Sequence, residues 1–221
     1  MLLPLLPLFL LALLLPVFLW AEYKSPSKWK KLGLKTVCSL LFMTAAVLSA
    51  LLAPNGWHKW SGVFLAAFGL SVAGDVLLSF PMKHSFQAGL GAFFLAQCSF
   101  VAAFLSRYYL SPWDALLFAV LAGAVLFTLL KAPGMEYGKM RFPVILYALA
   151  VSAMASKAVS GVWLIGGPAA WVAAAGGALF FASDVILAFV IFSRKKPASL
   201  RALNLISYYA GQALLAVSLY L

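Results

Sequence analysis

Eight apolar runs, each about the length of a bilayer crossing, follow one another along this chain with only short breaks between them. They cover residues 2–20, 34–53, 60–80, 86–106, 112–130, 142–160, 168–192 and 200–221. A helical crossing takes roughly 20 apolar residues, and backbone in lipid satisfies its own hydrogen bonds only as helices or as a closed barrel. The runs are continuous rather than alternating, which disfavours a barrel. With 65% hydrophobic and 10% charged residues, against about 25% charge in a typical soluble domain, there is too much apolar surface for water to cover. The expected fold is therefore all-α: a polytopic membrane helix bundle of about eight transmembrane helices, with residues 1–221 forming a single transmembrane domain.

The breaks carry turn formers: Ser25-Pro26, Pro54-Asn55-Gly56, Ser111-Pro112, Pro133-Gly134, Gly166-Gly167-Pro168 and Pro197. No break is long enough to hold a soluble domain. The first run lacks a basic leading region and is long for the apolar part of a signal peptide. We read it as a retained helix, although Pro4, Pro7 and Pro16 interrupt it.

The net charge of +11 comes from 16 basic and 5 acidic residues. The basic residues sit between apolar runs, where they meet lipid phosphates and set topology. No basic stripe with interleaved aromatics exists, so nucleic acid is not an expected partner. The odd-numbered loops hold Lys24, Lys28, Lys30, Lys31, Lys35, Lys83, Lys131, Lys139, Arg141, Arg194, Lys195, Lys196 and Arg201, against Lys59, Arg107 and Lys157 in the even-numbered ones. The positive-inside rule then puts odd loops in the cytoplasm and both termini outside. Short loops favour a bacterial inner membrane over the endoplasmic reticulum.

Two segments echo each other. Gly74-Asp75-Val76-Leu77-Leu78-Ser79-Phe80 in the third run resembles Ser183-Asp184-Val185-Ile186-Leu187-Ala188-Phe189 in the seventh. An offset of four helices keeps the direction of the chain, so a 4+4 repeat of this kind is parallel, with its axis along the membrane normal.

Asp75 and Asp184 are also acids inside transmembrane runs. An intramembrane carboxylate costs several kcal/mol by any scale and usually marks function; the structural alternative is an interhelical hydrogen-bonding group. Both fall in the inner half of their helices, at similar depth. Lys35 opens helix 2 from the same side and Arg201 opens helix 8. Tyr147 lies about one and a half turns into helix 6, Asn204, Ser207, Tyr208 and Tyr209 occupy the inner half of helix 8, and Gln97 is near the middle of helix 4. Singly these residues are ordinary snorkelling or belt groups. Together they outline a polar cavity open to the cytoplasmic leaflet.

Other chemistries lack their residues. His58 and His84 fall in loops on opposite sides, so a three-histidine zinc site is not expected. No serine lies in a GxSxG elbow, and no histidine lies in the bundle to activate one. No glycine-rich phosphate loop is present. Cys38 and Cys98 read as packing residues. Neither metal nor cofactor is expected, and carboxylate acid–base chemistry remains.

Several motifs, in order, carry a resemblance. They are Ser71-Val72-Ala73-Gly74-Asp75 with Leu77-Leu78, Gly176-Gly177-Ala178-Leu179-Phe180-Phe181-Ala182-Ser183-Asp184, Ser199-Leu200-Arg201-Ala202-Leu203, and Ser207-Tyr208-Tyr209-Ala210-Gly211-Gln212. The chain resembles the YhhN-like family of lysoplasmalogenases over nearly its whole length. Lys35 matches the family's lysine at the start of helix 2, and Tyr147 and Lys157 match its tyrosine and basic residue in helix 6. One departure is Ala96-Gln97-Cys98, where family members often carry a histidine.

The resemblance implies hydrolysis of the vinyl ether of a lysoplasmalogen, a lysophospholipid, to a fatty aldehyde and glycerophosphoethanolamine or glycerophosphocholine. That reaction asks for a general acid and a carboxylate that stabilises an oxocarbenium ion, a division of labour like that of glycosidases. Asp75 and Asp184 are the expected catalytic pair. Lys35, Tyr147, Arg201, Asn204, Tyr208, Tyr209 and Gln97 are the expected substrate-binding residues, with phosphate on Lys35 or Arg201 and an ammonium head on Tyr208 or Tyr209 by cation–π attraction. A cation in contact with the acid would hold it ionised, so we expect more than roughly 4 Å between them. Two rival readings are a proton-coupled transporter and a lipid-binding membrane protein without turnover. A cavity closed on the outer side favours the hydrolase.

Overall fold

The structure, a computed structural model, describes residues 2–194 and 198–221. Lys195, Lys196 and Pro197, which belong to the last odd-numbered loop, lie outside the described residues. Eight α-helices follow in order: α1 (Leu2–Lys24), α2 (Lys28–Leu51), α3 (Lys59–Ser79), α4 (Ser85–Arg107), α5 (Pro112–Lys131), α6 (Arg141–Leu164), α7 (Gly167–Phe192) and α8 (Ala198–Val217). The first seven are long and apolar enough to cross a membrane. α8 is more polar, because Arg201, Asn204, Ser207 and Gln212 lie within it. The chain is a polytopic helical membrane protein.

Local chemistry sets the helix ends. Ser27 caps α2, its side chain accepting from the Lys30 N–H. Ser111 and Asp114 form a capping box at the start of α5, with Pro112 in its first turn. Gly166 and Gly167 take positive φ of 66° and 79°, a turn open to glycine and closed to bulkier residues, before Pro168 starts α7.

Two expectations change here. α2 begins at Lys28 under the Ser27 cap, so Lys35 lies two turns inside the helix rather than opening it. α6 runs on to Leu164, so Lys157, counted with the loop charges at the end of a run that stops at 160, lies two turns inside the helix and is buried.

Six helices close a ring through contacts of α2 with α3, α3 with α4, α4 with α6, α6 with α7, α7 with α8, and α8 with α2. α1 packs outside α2 and α8, and α5 outside α6 and α7. Moving every helix forward by four carries α2/α3 onto α6/α7, α3/α4 onto α7/α8, and α4/α6 onto α8/α2. This is the neighbour pattern a 4+4 repeat requires. The flanks depart from it, since α1 touches α8 whereas α5 touches α7.

Small residues let the tight pairs approach. A Cβ on Gly74 of α3 would meet the Phe93 ring of α4 at 2.5 Å, and one on Gly211 of α8 would meet the Phe180 backbone N of α7 at 2.9 Å. In the half of the ring nearer the start of α3 and the end of α4, aromatic rings fill the middle. Phe64 packs edge-on against Phe100 and Phe104, Phe68 against Phe100, and Phe100 against Phe180, all fully buried. Edge-to-face pairs at these spacings add to the packing of an apolar core. The other half is open.

Candidate active site

That open half holds a cavity of about 290 Å³. It lies where α1, α3 and α7 end and α2, α4 and α8 begin. Asp75, Asp184, Lys35, Arg201, Asn204 and Tyr208 line it. The matched depth of the two aspartates in the sequence thus becomes a shared chamber.

Asp75 is 1% exposed and fully partnered. Lys35 Nζ lies 3.0 Å from Oδ1. Ser39 Oγ donates to Oδ2 at 2.6 Å, and Tyr208 Oη donates to the same oxygen at 2.7 Å. Lys35 and Ser39 are four residues apart, so one face of α2 presents both. Gln212 Nε2 donates to Tyr208 Oη at 3.3 Å. One cation and two hydroxyl donors thus hold this carboxyl from α2 and α8.

Asp184 has a different set. Tyr147 Oη donates to Oδ2 at 2.6 Å, and Gln97 Nε2 donates to the same oxygen at 3.3 Å. Among the described residues, no basic side chain forms an ion pair with Asp184. Gln97 is fully buried, and its Oε1 has no hydrogen-bond partner. Asn204 Nδ2 donates to the Ser183 carbonyl at 2.8 Å, tying α8 to α7 beside Asp184.

The rim is basic. Arg201 Nη2 lies 3.0 Å from Glu22 Oε1 of α1, while Arg201 Nε is buried without a hydrogen-bond partner among the described residues. Lys28 and Lys31 also line the mouth. His58 and His84 stand at opposite ends of α3, and no group of three His, Cys, Asp or Glu side chains fit for a metal occurs among the described residues.

The structure therefore gathers most of the residues singled out in the sequence, with changed duties for two. The expected role of Lys35 is a phosphate anchor at the rim, with a separation beyond roughly 4 Å asked only of whichever aspartate is the acid; it pairs directly with Asp75, because its register inside α2 carries it past the rim. Contact with an ammonium head is expected of Tyr208 or Tyr209, and Tyr208 lines the cavity while Tyr209 is not among its lining residues. The Tyr209 ring instead packs against Phe18 and Phe42, and its hydroxyl donates to the Lys35 carbonyl at 3.3 Å. It supports α2 from behind. Three residues are not singled out by the sequence pattern. Ser39 is open to detection by its i+4 spacing from Lys35, and Glu22 by being an acid at the end of the first helix. Asp114 forms a second buried ion pair, 2.8 Å from Lys157 Nζ, at the far end of the bundle. Asp114 resembles an ordinary helix cap in sequence.

Residues 30–219 match the profile of the YhhN family. Two curated proteins, both named lysoplasmalogenase TMEM86A, are similar along nearly the whole chain. The one from Bos taurus is 30% identical over 207 residues, covering 90% of this chain and 82% of its own. The one from Homo sapiens is 31% identical over 210 residues, with the same coverage. No solved structure matches the chain.

Proposed function

This chain belongs to the YhhN family, and we propose that it hydrolyses the vinyl ether of lysoplasmalogens such as lysoplasmenyl-ethanolamine. The observation that carries this reading is the division between two carboxyls in one cavity. Asp75 has a cation at 3.0 Å, and Asp184 has none among the described residues. A paired carboxylate suits stabilisation of a positive transition state, and a carboxyl without a cation suits proton donation.

The steps balance with one water. Asp184 gives its proton to the alkene carbon remote from oxygen. The alkene electron pair forms the new C–H bond and leaves an oxocarbenium ion, which the Asp75 carboxylate stabilises. Water adds to the carbon next to oxygen and returns a proton to Asp184. The resulting hemiacetal collapses: its hydroxyl proton passes to the glycerol oxygen as that C–O bond breaks, and a fatty aldehyde and the glycerophospho-head group leave. Tyr147 and Gln97 hold Asp184 in position through their bonds to Oδ2.

Dense aromatic packing beyond the cavity supports a hydrolase over a transporter, because it blocks the path to the other face. The basic mouth supports placing it on the cytoplasmic side. The test is purified protein in detergent with lysoplasmenyl-ethanolamine. Free aldehyde and glycerophosphoethanolamine are expected, with no release from the saturated 1-alkyl ether. Absence of aldehyde, or equal cleavage of an ester lysophospholipid, overturns the proposal.

A further inference from the structure

The polar cavity does not end at Asp184. A narrow apolar neck of about 40 Å³ continues from it, lined by Phe86, Phe93, Leu187 and Ile191, which also line the polar cavity, and by Asp184 itself. The neck runs on past Leu90 and Tyr147. Those two residues line a third space, an apolar cleft of about 300 Å³ between α4 and α6. Phe142 and Leu146 on that cleft are 68% and 41% exposed, on a surface that faces lipid in a membrane-spanning bundle. Asp184 thus stands at the junction of a charged chamber and an apolar path that opens sideways between two helices.

We propose that the α4–α6 cleft and its neck hold the hydrocarbon chain of the substrate, with its head group in the cationic cavity. This rests on the lysolipid reading above and extends it. One occupant fits all three spaces, a single-chain amphiphile. Its polar end matches Lys28, Lys31 and Arg201 at the mouth, and its chain matches the apolar neck walls. Threaded this way, the bond where head meets chain lies beside Asp184, as the acid role requires, with Asp75 lining the same cavity. The narrowness of the neck admits one chain and disfavours a diacyl lipid. Leu90, shared with the cleft, and Phe93, shared with the polar cavity, line the neck at its two ends and are the specificity-determining residues for chain bulk in this reading.

Gly91 offers a clean obstruction. It lines the cleft, and a Cβ built on it meets nothing within 4 Å, so Gly91→Phe starts a bulky side chain at the cleft wall from a position with room for its Cβ. Helix propensity favours the change as well. The experiment uses a saturated 1-alkyl ether lysophospholipid with a diazirine near the end of the chain, photolysed with the whole protein in detergent, and peptides mapped by mass spectrometry.

Labelling is expected on residues 90–94 of α4 and on residues 140–147, at and just before the start of α6. Excess unlabelled ether lysolipid should suppress it by at least tenfold, and diacyl phospholipid should not. Gly91→Phe should remove the label, while the less bulky Gly91→Ala keeps it. Labels scattered over outward helix faces, or equal competition by diacyl lipid, overturn the proposal. Aldehyde release by the wild-type protein is scored separately. Label in the cleft without aldehyde sinks the hydrolase reading and leaves the chain site standing; aldehyde with scattered label does the reverse.

Discussion

Lys35 of α2 and Asp75 of α3 form a buried ion pair of 3.0 Å, with side chains only 10% and 2% exposed. Breaking such a pair by removing one partner leaves an uncompensated buried charge and costs about 3–5 kcal/mol. Lys35→Met should therefore unfold at a clearly lower temperature in detergent than the wild type. The double variant Lys35→Met/Asp75→Leu should recover most of that loss, because an apolar pair of similar volume carries no desolvation cost. Thermal unfolding of the single and double variants checks both. In activity, Lys35→Met should lose kcat rather than raise KM, since Lys35 faces a carboxyl and not the mouth. A raised KM at unchanged kcat would return Lys35 to the anchoring role expected from sequence.

The two carboxyls should separate by variant. Asp184→Asn keeps the shape and the Tyr147 contact in reach but has no proton to cycle, so aldehyde release should fall by about 10²–10⁴-fold, the usual contribution of a general acid. Tyr147→Phe removes only a positioning hydrogen bond of 2.6 Å and should cost less. A Tyr147→Phe variant as inactive as Asp184→Asn would make the tyrosine the proton donor.

Gln97 stands 3.3 Å from Asp184, at the place where the family resemblance suggests a histidine. Gln97→His puts a group there that titrates near pH 6.5. Below that pH the imidazolium would sit against Asp184 and hold it ionised, removing the acid. Relative to wild type, the variant should lose rate as pH falls through about 6.5 and approach wild-type behaviour above it. A ratio of rates that stays flat from about pH 5 to 8, the range in which histidine titrates, would separate residue 97 from the proton donor.

The Asp114–Lys157 pair, 2.8 Å apart, lies away from the cavity, and Lys157 also donates to the Tyr109 carbonyl at 2.6 Å. It joins α5, the loop before it and α6. Lys157→Met should lower thermal stability by about 3–5 kcal/mol while kcat per folded molecule stays near wild type. A kcat loss in proportion would couple the two ends of the bundle.

Much of this arrangement is legible in the amino-acid sequence. The two aspartates reveal themselves because a carboxyl is so costly in lipid that two at one depth demand a shared reason. The helix order and the four-helix offset follow from run lengths and one repeated motif. What stays hidden depends on exact helix ends and on partners distant in sequence. A helix 2 that starts at 34 rather than Lys28 makes Lys35 a rim group, and a helix 6 that ends at 160 rather than Leu164 puts Lys157 in the last turn, where it counts with the loop charges. Ser39 and Glu22 are common residue types whose partners lie 36 residues away for Ser39 and on the last helix for Glu22, and no local pattern names such a partner. The neighbour pattern also shows what the repeat alone does not. Asp75 draws its partners from α2 and α8, and Asp184 from the equivalent α6 and α4, so one scaffold serves two carboxyls with different surroundings.

Arg201 sits in the first turn of α8 at the cavity mouth, one guanidinium nitrogen on Glu22 at 3.0 Å and its Nε buried without a partner among the described residues. A guanidinium with donors to spare is suited to a phosphate, and Glu22 competes for it. Phosphate binding is much the same in ground and transition states, so removing it raises KM with little change in kcat. Arg201→Gln should raise KM at least about tenfold, which is about 1.4 kcal/mol of binding. Glu22→Gln should lower KM, because it frees the guanidinium and removes a negative charge from the mouth. The pair of variants separates this role from a merely structural one. If Arg201 only ties α8 to α1, both changes break the same bond and both should harm the protein alike. Opposite movements of KM are the expected result, read from aldehyde release over a range of substrate concentrations at fixed detergent.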